Sequence, residues 1–266
     1  MGNSQTVIAA LAAVCMGSLS AVEIFRIDKP EDFTKPTEVT QENDILVVKG
    51  KASLYSAEAL KLDPAKKYKL SGEFRLRSGT PVQVRLGYLP LDRKNRGIYP
   101  LYVNTVPDTE TEIAASVRRG GKVISVKDAS KWKNTNALCY VAFNAKDDFS
   151  DLPNRSVIPI AKNGIRQTAD GWEITLKQPL KMNMEEGTKV RQHIDGATCI
   201  WNTGVATLND RWVVRTGLLS GIVKVGTSAN KLWPGTGSVR IHIRLLGGKT
   251  DSVVEIRNVK VEEIGK

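Results

Sequence analysis

Cysteine, histidine and long apolar runs are all scarce in this 266-residue chain. It has three cysteines and two histidines, and His193 and His242 lie far apart in the sequence. We find no Cys/His spacing of a zinc site, no Gly-x-Ser-x-Gly elbow and no phosphate-binding loop. These absences argue against the enzyme classes that carry such motifs, and we assign no catalytic residue. A glycoside hydrolase needs only two carboxylates, so the 28 acidic residues leave that class open.

The one long uncharged apolar stretch runs from Thr6 to Ala21. It is shorter than the run of about 20 apolar residues that spans a bilayer. Small residues at its end are typical of a signal-peptidase site, so we expect a signal peptide over 1–21. Met1-Gly2 with Thr6 also fits a myristoylation pattern, which is the competing interpretation. The signal predicts a secreted, extracellular or cell-surface protein with no transmembrane segment after cleavage.

Cleavage of that signal would remove Cys15 and leave Cys139 and Cys199. An even number of cysteines in an oxidising compartment permits one disulfide between them. Both residues lie in apolar, strand-like runs, where a thiol also packs as a small buried hydrophobe. The sequence leaves these two interpretations open.

The chain is strongly basic, with 39 Lys and Arg against 28 Asp and Glu and a net charge of +11. Such a surface attracts anionic partners, and salt weakens that attraction. The basic residues are spread over separate turns, at Lys66-Lys67, Arg93 to Arg96 and Arg118-Arg119. A polyanion therefore remains open as a partner. Secretion and the lack of a recognisable binding fold argue against nucleic acid.

Short alternating strands between turn signals fill the sequence after Val22, and no stretch shows a clean helical period. This pattern predicts an all-β protein. The outer segments, 22–107 and 196–266, together have the size of one eight-stranded jelly roll. Residues 108–195 form a separate group of short predicted strands. We therefore predict a discontinuous jelly-roll β-sandwich interrupted by an inserted small β module.

Several motifs in the outer segments carry a family resemblance. They are Leu62 to Gly72, Leu86-Gly87-Tyr88, Trp212, Trp233 to Thr236 and Val254 to Val261. In this order they resemble the jelly-roll carbohydrate-binding modules of the family 4 and family 9 type. The resemblance implies recognition of a polysaccharide or other glycan through a sandwich face or its loops. Together with the signal peptide and the lack of a catalytic motif, the leading prediction is a secreted, non-catalytic carbohydrate-binding protein, and the basic charge adds an anionic glycan as a candidate ligand.

The inserted segment resembles small β modules of viral tail and bacterial surface proteins, through Gly121 to Trp132, Ile174 to Leu180 and Glu186 to Val190. This second resemblance implies a spacer or interaction element. An extracellular structural or assembly protein is therefore the alternative function, and a jelly-roll hydrolase or lyase is a third.

Sugar-binding jelly rolls commonly stack exposed aromatic rings on the sugar, because a ring gives apolar area with a defined geometry. The candidate ligand-binding residues are Tyr88, Tyr99, Tyr102, Trp201 and Arg96. We place Trp212 and Trp233 in the core.

One acidic loop is a candidate metal site. Its carboxylates, Asp147, Asp148 and Asp151, could hold Ca²⁺, although their spacing is not that of an EF-hand and a solvated turn is the alternative. The related modules often hold a structural Ca²⁺, but no ligand of that site can be placed on this sequence. We expect no other cofactor.

Overall fold

The computed structural model describes residues 21–133 and 138–265. The predicted signal peptide lies outside the described residues except for Ala21, the first residue of strand β1. The strands form three antiparallel sheets, which confirms the all-β prediction. In chain order the strands are β1 Ala21–Ile27, β2 Thr40–Glu42, β3 Ile45–Lys49, β4 Ala52–Tyr55, β5 Lys67–Ser78, β6 Gln83–Leu91, β7 Thr111–Glu112, β8 Val123–Val126, β9 Cys139–Phe143, β10 Val157–Thr168, β11 Gly171–Leu176, β12 Lys189–Ile194, β13 Val205–Thr207, β14 Val213–Ser220, β15 Ser238–Leu246 and β16 Val253–Ile264.

Helical structure in the described part of the chain is confined to single turns. There are two 3-10 turns, Pro30–Asp32 and Pro36–Glu38, and one short helix, α1, at Pro100–Val103. None of the helices in the described ranges is long and apolar enough to cross a membrane.

Two of the sheets make a sandwich from the outer segments of the chain. The first sheet has the order β14-β5-β16-β3-β2, with β1 added against β16. The second sheet has the order β13-β6-β15-β4. Along the chain, β3, β5, β14 and β16 enter the first sheet and β4, β6, β13 and β15 enter the second. This is the strand order of a jelly roll, as predicted.

The sandwich is held together by the alternating apolar residues that the sequence pattern indicates. In β15 the buried inner residues are Val239, Ile241, Ile243 and Leu245. Because successive side chains of a strand point to opposite faces, Arg240, His242 and Arg244 lie on the outer face. The predicted core position of Trp233 is correct, since its ring is buried in the same cluster.

The third sheet, β7-β12-β9-β10-β11-β8, takes all of its strands from the middle of the sequence. It covers a hydrophobic cluster of its own, which includes Ile124, Val141, Phe143 and Ile174. The chain leaves β6 through the loop that contains α1, and it returns where Ile200 bridges to Tyr88.

A buried polar network joins the third sheet to this connecting loop. Arg191, which is fully buried, donates to Asp151 at 2.5 Å and to Nε2 of His193 at 3.0 Å. His193 therefore carries its proton on Nδ1, which donates to the carbonyl of Leu101 in α1 at 2.8 Å. Burial lowers the pKa of His193 to about 4, so the imidazole is neutral at physiological pH.

Candidate functional site

The outer face of the second sheet gathers an unusual set of side chains. The antiparallel register places Arg85 opposite Arg244 and Gly87 opposite His242. On the other side of β15, the same two residues of β15 lie opposite Ser53 and Tyr55 of β4. Residues paired in this way share a face. We call the set of Ser53, Tyr55, Arg85, Trp201, His242 and Arg244 the candidate face.

Two aromatic rings flank His242 at the centre of this face. The Tyr55 ring stacks on the imidazole with centroids 4.1 Å apart, and the Trp201 ring lies 4.8 Å away at a tilt of 39°. His242 is only 2% exposed, whereas Tyr55 and Trp201 are partly exposed. The two larger rings therefore cover the imidazole and present part of their own surface to solvent.

Gly87 makes room for this arrangement. A Cβ at this position would clash with the carbonyl oxygen of Ile200 and lie 3.0 Å from Cε3 of Trp201. The backbone bridge between Tyr88 and Ile200 brings the two segments together at this point. A residue without a side chain is thus what lets Trp201 lie against the second sheet.

Hydrogen bonds fix the orientation of the imidazole of His242. Its Nε2 lies 2.8 Å from Oγ of Ser53, and its Nδ1 lies 3.0 Å from Sγ of Cys199. Burial lowers the pKa of His242 to about 4, and the charge of Arg244 acts in the same direction. Burial also raises the pKa of the Cys199 thiol to about 12. Both groups are uncharged at neutral pH, so the pair supplies no thiolate nucleophile. Its role is to hold the imidazole in place between the two aromatic rings.

The two arginines of the candidate face have no carboxylate to neutralise them among the described residues. Arg85 and Arg244 lie directly opposite each other, and Nε of Arg85 is buried without a hydrogen-bond partner in the described part of the chain. Like charges placed opposite each other in a sheet are destabilising. The fold therefore holds two positive groups together without an internal counter-charge.

The outer face of the first sheet shows the opposite pattern. Glu255, which is nearly fully buried, accepts from both Arg75 and Arg77, and Arg257 pairs with Glu73 at 2.8 Å. The pKa of Glu255 is lowered, because the bonds from the two arginines outweigh the opposing effect of its burial. Arg75, Arg77 and Arg257 of this sheet are thus matched by carboxylates, in contrast to Arg85 and Arg244 of the candidate face.

A groove of about 650 Å³ lies beside the candidate face, between the β2–β3 hairpin and β4. Ser53 and Arg244 belong to both the face and the groove lining. The lining carries four basic residues, Lys35, Lys49, Lys51 and Arg244. Its carboxylate, Glu38, is paired with Lys35 at 2.9 Å. The groove therefore extends the positive character of the face.

Of the sequence-predicted ligand residues, Trp201 lies on the candidate face and Tyr88 does not. Tyr88 is 0% exposed, on the inner face of β6 with Val84 and Leu86. Burial raises the pKa of its hydroxyl well above the ordinary value. The prediction that Tyr88 contacts a ligand is wrong, because the alternation along β6 turns its ring into the core.

Tyr99, Tyr102 and Arg96 form a separate cluster in the loop around α1. Tyr99 is 38% exposed, and its ring lies 6.0 Å from that of Tyr102. The guanidinium of Arg155 covers the Tyr102 ring at 4.7 Å. Arg96 and Arg155 both pair with Asp92, at 2.9 and 2.8 Å. Since Arg155 belongs to the inserted segment, this cluster ties the loop to that segment, and Tyr99 keeps the most open ring.

The three aspartates of the acidic loop have separate partners. Asp147 pairs with Lys189 at 2.5 Å, Asp148 accepts from the backbone of Ser150, and Asp151 takes the guanidinium of Arg191. Across the described ranges, no group of three or more His, Cys, Asp or Glu side chains is arranged to hold a metal ion. Because the carboxylates do not converge, the loop fits the solvated-turn interpretation and not the Ca²⁺ one.

The two cysteines of the predicted disulfide belong to different surroundings. Cys139, in β9, donates to the carbonyl of Lys133 at 3.5 Å, whereas Cys199 contacts His242. Both are buried, and they are not bonded to each other in this structure. The alternative interpretation, in which each thiol packs as a small buried group, describes both positions.

Trp212 corrects a further expectation. The sequence analysis placed it in the core, but its ring is only partly buried, with the guanidiniums of Arg75 and Arg257 at 4.7 and 4.0 Å from its centroid. Cation–π contacts of this kind hold a large ring on a charged outer face.

Five members of the candidate face are not predicted as site residues from the sequence: Ser53, Tyr55, Arg85, His242 and Arg244. The strict alternation of β15 does place Arg244 beside His242 on the polar side of its strand. Which residues lie across from them depends on the pairing of β15 with β4 and β6, which no sequence signal supplied.

No protein-family model matches this chain, and no curated protein matches it.

Proposed function

We propose that this protein is a non-catalytic glycan-binding protein that holds a sugar on the candidate face. The observation that carries the proposal is the pair of partly exposed rings, Tyr55 and Trp201, that flank His242 on an open sheet face. Flat apolar rings suit the C–H face of a sugar ring, and nearby polar groups suit its hydroxyls. The hydroxyl of Ser53 and the guanidiniums of Arg85 and Arg244 are such groups.

Binding explains the site better than hydrolysis does. A glycoside hydrolase needs two carboxyl groups about 5–10 Å apart, one on each side of the scissile bond. Among the described residues that line the groove, Glu38 is the one carboxylate, and it is held by Lys35. The Cys199–His242 pair is uncharged and buried, so it does not offer a second catalytic mechanism.

The proposal includes a secreted or cell-surface location, where glycans are encountered. Its support is the apolar run from Thr6 to Ala21, with small residues at its end. N-terminal sequencing of the protein exported by its native cells tests this part. A start near Val22 is expected, and an intact, cell-retained Met1 would contradict it.

The test of binding compares two tryptophans on opposite outer faces. The chain from Val22 onward is applied to a glycan array, together with Trp201→Ala and the matched control Trp212→Ala. We expect Trp201→Ala to lower the affinity about tenfold or more, since an aromatic contact contributes about 0.5–1.5 kcal/mol beyond its area. Trp212→Ala should leave it unchanged. Equal effects of the two substitutions would refute the proposed site, provided that circular dichroism shows both variants to be folded.

One observation favours assembly as a second candidate function. Strand β14 lies at the edge of the first sheet, and its outward residues Val214 and Leu218 are 61% and 50% exposed. An open edge with apolar side chains is a template for pairing with another chain. Sedimentation of the unsubstituted protein and of Val214→Lys tests this alternative. Assembly through β14 predicts that the unsubstituted protein forms an oligomer and that Val214→Lys dissociates it.

A further inference from the structure

We propose that Arg85 and Arg244 form an oxyanion subsite, which takes a carboxylate or sulfate group carried by the glycan. This inference rests on the proposed glycan binding at the same face. It goes further by assigning the ligand class as an acidic sugar and by naming the two residues that select it.

The contrast between the two sheets supports this assignment. On the first sheet, Glu255 and Glu73 neutralise the arginines that surround them. On the second sheet, Arg85 and Arg244 face each other across β6 and β15 with no such partner among the described residues. The same fold thus matches Arg75, Arg77 and Arg257 with carboxylates on one outer face and leaves an arginine pair unmatched on the other. An anion from outside the chain would supply the missing counter-charge.

The geometry of the donors points the same way. Nε of Arg85 is buried and has no hydrogen-bond partner among the residues that the structure describes, so the protein does not satisfy all donors of this guanidinium there. Arg244, opposite it, is exposed. Guanidinium groups bind carboxylate and sulfate-like oxyanions through two parallel N–H bonds. An oxyanion between the two side chains would accept hydrogen bonds from both guanidiniums and supply the counter-charge that they lack.

A third arginine on the same face shows what a structural role looks like. Nη1 of Arg240 donates to the backbone carbonyls of Ser56, at 2.5 Å, and Ala57. Arg240 therefore ties the face to a neighbouring loop and has a protein partner. Within residues 21–133 and 138–265, Arg85 and Arg244 have no comparable bond.

The surroundings favour an extended anionic sugar over a lone ion. Tyr55 and Trp201 lie against His242, which is two residues before Arg244 on the same face of β15. On the other side, Lys49 and Lys51 continue the positive charge into the groove. A chain of acidic sugars would thus meet aromatic surface and basic side chains in sequence.

The binding experiment uses the chain from Val22 onward and charge-matched polymers. Polygalacturonate carries carboxylates and its fully methyl-esterified form does not; dextran sulfate carries sulfates and dextran does not. We expect tighter binding of at least one acidic member over its neutral partner at physiological salt. Arg85→Gln and Arg244→Gln should each reduce that preference about tenfold. Arg118→Gln, an equal loss of charge at an exposed turn of the inserted segment, should not. The polymer that shows the preference distinguishes a carboxylate from a sulfate.

Inorganic sulfate gives a second measurement that does not depend on glycan binding. A ligand that binds the folded state raises its melting temperature. At matched ionic strength, sodium sulfate should stabilise the unsubstituted protein and Arg118→Gln more than it stabilises Arg85→Gln or Arg244→Gln. Comparing variants removes the general stabilising effect of sulfate, which all of them share.

The outcomes separate this inference from the proposed function. Glycan binding that is lost in Trp201→Ala but shows no acidic preference would overturn the oxyanion subsite and leave glycan binding intact. A variant-dependent sulfate effect without binding to any glycan would support the subsite and overturn glycan binding. Equal losses in Arg118→Gln, or equally tight binding to duplex DNA, would reduce the interaction to net charge and overturn the subsite.

Discussion

The unmatched arginine pair leads to a stability prediction with an unusual sign. Replacing Arg85 or Arg244 by Gln keeps most of the side-chain stem and removes one of two like charges that lie opposite each other. Such opposed pairs are worth about 0.2–1 kcal/mol in a sheet. We therefore expect either substitution to raise the free energy of unfolding by that amount. In a chain of this size the melting temperature should rise by about 0.5–3 °C.

The matched control for this prediction lies on the first sheet. Arg257 pairs with Glu73 and stacks on Trp212, so Arg257→Gln removes an ion pair and a cation–π contact. Since each is worth up to about 1 kcal/mol at a partly exposed site, Arg257→Gln should lower the free energy of unfolding by about 0.5–2 kcal/mol.

Urea unfolding at low salt, followed by circular dichroism, measures all three variants. High salt should shrink the gain in Arg85→Gln and Arg244→Gln, because it screens the repulsion. A loss of more than about 1 kcal/mol in either variant would show that its guanidinium is a structural group. That result would remove the main argument for an anion subsite.

Three further predictions concern residues of the candidate face and of the buried polar network that joins the third sheet to the α1 loop. His193 and His242 are neutral when folded and have pKa values of about 4, whereas the unfolded chain titrates near 6.5; the unfolded state therefore binds more protons between these values. The contribution of each histidine to the free energy of unfolding should be complete above about pH 6.5 and should be lost as the pH falls toward 4, by about 3 kcal/mol for each histidine. In urea unfolding, His193→Gln should therefore show a shallower decline of stability with falling pH than the unsubstituted protein. Gly87→Ala should lower the free energy of unfolding by about 1–3 kcal/mol, since the new methyl group meets Ile200 and Trp201. It should also weaken glycan binding, whereas Gly120→Ala, at an open turn, should leave binding unchanged. Cys199, whose thiol pKa is about 12, should resist iodoacetamide at pH 8 in the folded protein and should react once urea unfolds the chain. Rapid labelling of Cys199 in the native protein, located by mass spectrometry, would contradict the geometry of the Cys199–His242 contact.

The architecture could be predicted from the sequence because it depends on period-two alternation. Residues alternate between apolar and polar along β15 and β16, and the short strands predicted within 108–195 correspond to β8 to β12. The same alternation along β6 also indicates that Tyr88 is buried. Two-residue spacing puts it on the face of Val84 and Leu86, and that face is buried.

The candidate face could not be predicted because its members meet across strands. Tyr55, Trp201 and His242 come from three distant segments, and only the register of β4, β6 and β15 brings them together. Trp212 shows the reverse error, since an apolar ring was assigned to the core although two arginines hold it on an outer face. Charge matching between strands is a tertiary property, so neither the matched first sheet nor the unmatched Arg85–Arg244 pair was visible in the sequence.

Hydroxyl-radical footprinting with mass spectrometry tests the central claim most directly, because it locates the contact surface on the unsubstituted protein. The protein is oxidised with and without the glycan that gives the strongest array signal. Binding at the candidate face predicts that Tyr55 and Trp201 become protected, while Trp212 on the other sheet and Tyr99 in the α1 loop keep their reactivity. Protection of Tyr99 and Tyr102 with no change at Tyr55 and Trp201 would place the ligand on the loop and contradict the account.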